Sequence, residues 1–158
     1  MRGEIPELSA PLLAELYAHA ALGYPEEVCG IILGPQGAPD EVRRCENRQN
    51  ALHREDPITF PRDARTAYNL GPQDLFFLDR SLRSPRPAQI IYHSHVEVGA
   101  YFSAEDVAGA VVEGELVYPV DYLVIDVAQG GSRGAKLFRW DGDRFVEIRA
   151  WTADAPAP

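Results

Sequence analysis

The stretch PAQIIYHSHVEVGAYFSAEDVAGA, residues 87–110, joins an apolar run to a second apolar segment through a polar loop. Its first part, PAQIIYHSH, turns polar only at its end, which predicts a strand that delivers His93 and His95 to its exit. Ser103 opens the segment SAEDVAGAVVEG, which predicts a helix because serine is a favoured N-cap residue. A buried strand followed by a helix is typical of an α/β domain.

The segments on both sides fit the same class. Those before it predict a helix, two strands and a second helix: PELSAPLLAELYAHAALGY (6–24), EEVCGIILG (26–34), EVRRCENRQN (41–50) and GPQDLFFLDRSLRS (71–84). Those after it predict three strands, the last two joined by the hairpin signal DGD: DYLVIDVA (121–128), AKLFRW (135–140) and RFVEI (144–148). We therefore predict a single α/β domain with a mixed central β-sheet flanked by helices.

The middle of the chain, residues 50–70, reads NALHREDPITFPRDARTAYNL and shows no clear period. Its polarity and two prolines predict a long irregular segment, and such segments often carry function. We expect it to form a flap or a partner-binding edge.

Composition narrows the function classes. The 158 residues carry a formal net charge of -9 without a basic run, so nucleic acid is not an expected partner. No apolar run is long enough to cross a membrane, and the first residues lack the pattern of a signal peptide, so we expect a cytoplasmic protein. Two cysteines, Cys29 and Cys45, without CxxC spacing predict buried free thiols.

Two histidines at positions i and i+2 of a strand share one face and can bind one metal ion. With the carboxylate of Asp106, His93 and His95 would form a three-ligand set that leaves the fourth position of a catalytic zinc site open. The spacing of Ser103 and Asp106 also resembles an ordinary capping box. The two interpretations are compatible, because the first turn of the helix could direct Asp106 towards the histidines.

The pattern H-x-H-x7-S-x2-D, together with an upstream E-x-C-G, resembles the JAMM (MPN-plus) zinc metalloprotease family in its compact bacterial form. The resemblance implies one zinc ion per chain on His93, His95 and Asp106. It implies that Glu27 holds the catalytic water and shuttles its proton, and that Ser103 stabilises the tetrahedral intermediate. It further implies a cytidine-deaminase-like architecture. We place the domain in residues 1–150, and the composition of the last residues, ADAPAP, predicts a flexible tail in 151–158.

The same resemblance implies a zinc metallopeptidase that hydrolyses a peptide or isopeptide bond. The expected substrate is the C-terminal tail of a ubiquitin-like or sulfur-carrier protein, and a homodimer is left open. Relatives usually have proline after the second histidine and often before the serine, where this chain has Val96 and Phe102. These departures affect the shape of the loop and leave every ligand in place.

Two alternatives stay open from the sequence. The chain could be a non-catalytic MPN scaffold that binds zinc or a ubiquitin-like partner without hydrolysing it. Two histidines and a carboxylate can also form the facial triad of a mononuclear iron enzyme, although such sites often pair a close H-x-D with a distant histidine. Bound zinc without hydrolysis would favour the first alternative, and bound iron with oxygen-dependent turnover the second.

Overall fold

The computed structural model describes residues 3–153, which form four helices and eight strands. The helices are α1 (Ala10–Gly23), α2 (Gln49–Glu55), α3 (Pro72–Ser81) and α4 (Ala104–Ala110). The strands are β1 (Cys29–Leu33), β2 (Glu41–Cys45), β3 (Ala88–Val96), β4 (Val111–Val112), β5 (Glu115–Leu116), β6 (Asp121–Ala128), β7 (Gly131–Trp140) and β8 (Phe145–Thr152). Within residues 3–153, no helix has the length and apolar character needed to cross a membrane.

Six of the strands form one sheet in the order β2-β1-β3-β6-β7-β8. Strand β3 runs parallel to β6 and antiparallel to β1, and the other pairs are antiparallel, so the sheet is mixed as predicted. The two-stranded sheet β4-β5 is separate. The single α/β domain with a central mixed sheet is confirmed.

Strand β3 lies inside the sheet and is buried on both faces. Ile90 and Tyr92 belong to the apolar cluster on the α1 side of the sheet. Ile91 belongs to the opposite cluster, which also contains Leu78 of α3 and Ala110 of α4. Because side chains alternate along a strand, the face of Ile91 is also the face of the two histidines that follow it.

Helix α1 covers one face of the sheet as the periodicity predicts. Ser9 is its N-cap, and the Ser9 side chain accepts a hydrogen bond from the backbone N–H of Leu12. Leu12, Leu16 and Ala20 are buried at helical spacing, and the helix ends at Gly23.

Three boundaries differ from the sequence prediction. The middle segment is not irregular throughout, because α2 occupies its start and Asn47 Oδ1 accepts a hydrogen bond from the first helical N–H of Gln49. Helix α4 ends at Ala110, because Glu113 and Gly114 adopt φ of 52° and 81° and make a tight turn between β4 and β5. Strand β8 continues to Thr152, so ordered structure passes residue 150, and residues 154–158 of the expected tail lie outside the described residues.

Candidate metal centre

Three side chains with metal-ligand chemistry meet where β3 ends. His93 Nε2 and His95 Nε2 lie 3.1 Å apart. The Asp106 carboxylate places Oδ1 3.2 Å from His93 Nε2 and Oδ2 3.1 Å from His95 Nε2. Ligand atoms at 2.0–2.1 Å from a tetrahedral zinc ion lie roughly 3.3–3.4 Å from one another. The three side chains are all buried, and one ligand atom of each lies within 4.8 Å of the others, so they are close enough to share one ion.

The capping box of α4 is what directs Asp106 towards the histidines. Ser103 Oγ accepts a hydrogen bond from the backbone N–H of Asp106 at 3.0 Å, and Asp106 Oδ2 accepts one from the Ser103 N–H at 3.0 Å. Each carboxylate oxygen of Asp106 also faces a histidine. The capping interpretation is therefore confirmed, and the ligand interpretation stays compatible with it for the same residues.

Hydrogen bonding fixes the tautomer of His95. His95 Nδ1 lies 3.2 Å from the carbonyl oxygen of Gly99, which can only accept, so Nδ1 carries a proton and donates it. A neutral His95 then presents the lone pair of Nε2 to the carboxylate of Asp106. In that state a metal ion between them would satisfy the Nε2 lone pair and the carboxylate at once.

The electrostatics of the three residues suit metal binding. Burial alone would raise the pKa of the Asp106 carboxyl, but His93, His95 and the Ser103 N–H hold it below its usual value. Burial lowers the pKa of His93, although Asp106 opposes this effect. At neutral pH the carboxylate is therefore ionised and the His93 imidazole neutral, which are the protonation states that bind a metal.

Glu27 lies beside this centre and lines the same cavity as Asp106. The strand β1 begins only at Cys29, and both Glu26 and Glu27 precede it. The backbone of Glu27 is held by the middle segment, since its N–H donates to the Ala64 carbonyl at 2.7 Å and its carbonyl accepts from Asn47 Nδ2 at 2.9 Å. Glu27 is 6% exposed, whereas Glu26 is on the surface.

Glu27 shares one small cavity with the other expected site residues. This cavity, which we call the chamber, has a volume of about 130 Å³ and is lined by Glu27, Ser103, Asp106 and His95, with further residues from the middle segment and from the loop after β3. Burial and the negative charge of Asp106 raise the pKa of the Glu27 carboxyl to about 9, and Arg62 opposes the rise. A cation on the ligands would lower that pKa again, towards the range in which a carboxyl both takes and gives a proton.

Several contributors to the site were missed from the sequence. Tyr68 stacks on His93 with ring centroids 4.2 Å apart, and Tyr101 meets His95 edge-on at 4.8 Å. Both belong to segments without a periodic pattern, which therefore offered no signal. Ser94 accepts a hydrogen bond from the Val28 N–H at 2.8 Å and so ties β3 to the residue next to Glu27.

The residues that depart from the family pattern have structural explanations. Val96 continues β3 by one residue opposite Val127 of β6. Phe102 packs against the aromatic rings of Tyr122 and Phe145, with centroids 5.3 and 4.4 Å away, and so anchors the loop that leads to Ser103.

Cys29 is fully buried, and burial raises the pKa of its thiol, so the residue fills the core and is not activated as a nucleophile.

Several known proteins are similar to this chain in sequence or in fold. Residues 9–141 match the family described as prokaryotic homologs of the JAB domain. Proteins named CysO-cysteine peptidase from Mycobacterium bovis and Mycobacterium tuberculosis are 29% identical over 101 residues, which is 63% of this chain and 62% of theirs. The match thus spans less than two thirds of the length of those relatives.

Two solution structures resemble the whole fold. One, from Desulfitobacterium hafniense, has a TM-score of 0.59 and 20% sequence identity and covers 91% of this chain and 90% of its own. The other, from Salinibacter ruber, has a TM-score of 0.57 and 21% sequence identity. It covers 95% of this chain and 93% of its own. These two likenesses concern the fold alone.

The match over residues 9–141 shows that the chain belongs to the family of prokaryotic homologues of the JAB domain, as the JAMM-like motif indicated.

Proposed function

We propose that this chain is a zinc-dependent peptidase that hydrolyses a peptide or isopeptide bond at the C-terminal tail of a ubiquitin-like or sulfur-carrier protein. The observation that carries the proposal is the buried carboxyl of Glu27 in the same chamber as His95, Ser103 and Asp106. Family membership supports the type of enzyme. The name of the mycobacterial relatives, CysO-cysteine peptidase, supports a peptidase that acts on a carrier protein.

His93, His95 and Asp106 would hold the metal ion, and their donor set of two imidazoles and one carboxylate suits zinc. When bound, zinc acts as a Lewis acid that acidifies water and polarises a carbonyl group. The stack of Tyr68 on His93 and the Gly99 carbonyl at His95 Nδ1 keep the two imidazole rings in place.

Glu27 performs the proton transfers in the proposed reaction. Its carboxylate takes a proton from the attacking water, whose oxygen bonds to the scissile carbonyl carbon. The carbon–nitrogen bond then breaks, and Glu27 returns the proton to the leaving nitrogen. The position of Glu27 in the chamber suits both halves of this transfer, and a cation on the ligands would lower its raised pKa so that the carboxylate is available for the first half.

Ser103 supports the oxyanion that forms on the carbonyl oxygen. Its Oγ already accepts a hydrogen bond from the Asp106 N–H, so the hydroxyl proton is left to donate. A donor directed at developing negative charge stabilises the transition state more than the ground state.

The test is a cleavage assay with wild type and Glu27→Gln on a ubiquitin-like carrier whose C-terminal Gly-Gly is extended by a short peptide. Zinc-loaded wild type should release the extension, as measured by mass spectrometry, and the variant should be slower by roughly 10²–10⁴-fold. Both proteins should contain the same zinc. Full activity of Glu27→Gln would overturn the role of Glu27, and zinc-loaded wild type without activity would favour the scaffold.

A further inference from the structure

Glu97 follows the last residue of β3 and adopts a backbone conformation that residues other than glycine rarely take. Its φ is 66°, and among residues 3–153 the one other non-glycine residue with positive φ is Glu113, at 52°. Glu113 has a simple explanation, because it lies in the tight turn between β4 and β5. Glu97 instead lies two residues after His95, and a residue in such a conformation persists only where its surroundings hold it.

Three hydrogen bonds hold Glu97 in place. Its backbone N–H donates to the Val127 carbonyl at 2.9 Å. Its carboxylate accepts from the Gln129 N–H at 3.2 Å on Oε1 and from the Tyr24 hydroxyl at 3.3 Å on Oε2. Gln129 lies in the turn between β6 and β7, and Tyr24 lies in the segment between α1 and β1 that also contains Glu27. The carboxylate therefore joins the end of β3 to two other parts of the chain.

The loop that begins at Glu97, residues 97–102, contacts the imidazole of His95. The Gly99 carbonyl in this loop accepts the hydrogen bond of His95 Nδ1 at 3.2 Å. The loop contains no proline, and its glycine has φ of 88°, so its backbone is not stiff by itself. The ring contacts of Phe102 anchor the far end of the loop. The near end depends on Glu97.

The geometry explains how Glu97 acts on a ring that it does not touch. A single residue separates Glu97 from Gly99. Rotation of the Glu97 backbone to the usual negative φ would therefore carry the Gly99 carbonyl away from His95 Nδ1. The two carboxylate hydrogen bonds oppose this rotation. Because Glu97 is exposed, they contribute little to the stability of the whole domain, and their effect is local to the loop.

We propose that Glu97 is a positioning residue of the metal site, whose carboxylate fixes the loop 97–102 so that the Gly99 carbonyl orients the imidazole of His95. The inference rests on the proposed function, because His95 is a proposed ligand of the metal ion. While the Gly99 carbonyl holds the proton of Nδ1, the Nε2 lone pair of His95 stays directed towards Asp106.

The first measurement needs no metal. Metal-free protein with ¹⁵N-labelled histidine is studied by NMR, which reports the tautomer of each imidazole and the exchange of its N–H with water. In wild type, His95 should carry a proton on Nδ1 and exchange it slowly. In Glu97→Gly that proton should exchange about 10-fold faster, because the hydrogen bond to the Gly99 carbonyl opens more often. An unchanged tautomer and exchange rate in Glu97→Gly would overturn the inference.

Glu113→Gly is the matched control for Glu97→Gly. It makes the same substitution at the same kind of backbone position, in the turn between β4 and β5. Glycine adopts positive φ without strain, so both variants test the glutamate side chain, and the Tm of each should stay close to that of wild type. The His95 signals of Glu113→Gly should match those of wild type. An equal change of these signals in both variants would overturn the specific role of Glu97.

Competition with a chelator measures the effect on zinc affinity. Loss of an outer partner of a metal ligand typically weakens metal binding about 10- to 100-fold, and Glu97 acts one step further out. We expect zinc to bind about 10-fold more weakly to Glu97→Gly and equally well to Glu113→Gly. Glu97→Gln should lose only about 2- to 5-fold, because its amide oxygen still accepts a hydrogen bond. A lower Tm of Glu97→Gly with the zinc affinity of wild type would show a merely structural role and reject the proposal.

The cleavage assay with the extended carrier separates this inference from the proposed function. Zinc-loaded wild type that leaves the carrier intact, with weaker zinc binding in Glu97→Gly, would support the positioning role and reject the peptidase. Cleavage by wild type and Glu97→Gly at the same kcat, with the same zinc affinity, would support the peptidase and reject the positioning role. A wild type that binds no zinc would reject both.

Discussion

Replacing Ser94 with alanine tests how β3, which carries the two histidines of the proposed metal site, is connected to Glu27, the proposed proton-transfer residue. Ser94 is fully buried, and its Oγ accepts the hydrogen bond of the Val28 N–H at 2.8 Å. The backbone N–H of Ser94 donates to the Val28 carbonyl at 3.0 Å, so two hydrogen bonds join β3 to the residue that follows Glu27. Ser94→Ala removes the side-chain acceptor and leaves a buried N–H without its partner.

The expected cost follows from that loss. A buried donor that has lost its acceptor lowers the free energy of unfolding by about 1–3 kcal/mol. For a domain of this size, about 2 kcal/mol lowers Tm by roughly 4–8 °C. The released N–H belongs to the residue next to Glu27, so its loss should also shift the Glu27 carboxyl. Small misplacements of catalytic groups slow a reaction, and we therefore expect kcat to fall about 10- to 100-fold at a temperature where the variant is fully folded.

The measurements are thermal unfolding and the tail-cleavage assay, with Ser132→Ala as the control. Ser132 Oγ donates to the Tyr17 carbonyl at 2.8 Å, so the control also loses one serine hydrogen bond. Ser132→Ala should lose about 1 kcal/mol of its free energy of unfolding and keep the kcat of wild type. An unchanged Tm in Ser94→Ala would refute the hydrogen-bond argument. A lower Tm with unchanged kcat would refute the proposed link to Glu27.

Three further predictions concern the core. Gly30→Ala should destabilise the fold by about 1–3 kcal/mol in urea unfolding, because an added Cβ would lie 2.4 Å from the buried ring of Tyr92; unchanged stability would contradict this close packing. Burial lowers the pKa of His19 to about 4 from 6.5, so its contribution to stability is present above pH 6.5 and is lost as the pH falls towards 4. His19→Gln should therefore lose less stability than wild type over that range, and an equal loss would argue against a buried neutral imidazole. Cys29 and Cys45 should resist alkylation in the native protein at pH 7 and react after unfolding, since burial raises the pKa of both thiols; rapid native reaction of Cys29 would contradict its core role.

The grouping of His93, His95 and Asp106 could be predicted from the sequence because the three residues are local. His93 and His95 lie on one face of a single strand, and the capping signal that starts α4 also directs Asp106. Glu27 was a different case. Only the family resemblance identified it as a candidate site residue. The structure shows why, since Glu27 is held by contacts with the distant middle segment.

The middle segment itself could not be predicted, because its role depends on tertiary contacts. Tyr68 stacks on His93, and Arg62 reaches the chamber, yet neither residue lies in a periodic stretch. The segment packs beside the candidate site, and its expected role as a flap or a partner-binding edge stays a prediction. The expected cytoplasmic location, the absence of a nucleic-acid partner and the open question of a homodimer stay predictions.

The central claim, a zinc site on His93, His95 and Asp106, is tested most directly by elemental analysis of the purified protein. Wild type, His95→Ala and the control His53→Ala are prepared without added metal and again after zinc is supplied. His53 is a suitable control because its Nδ1 is bonded to the Phe60 carbonyl, outside the site. We predict about one zinc per chain in wild type and in His53→Ala, and almost none in His95→Ala. Absence of zinc from wild type after supply, equal zinc in His95→Ala, or stoichiometric iron in its place would contradict the account.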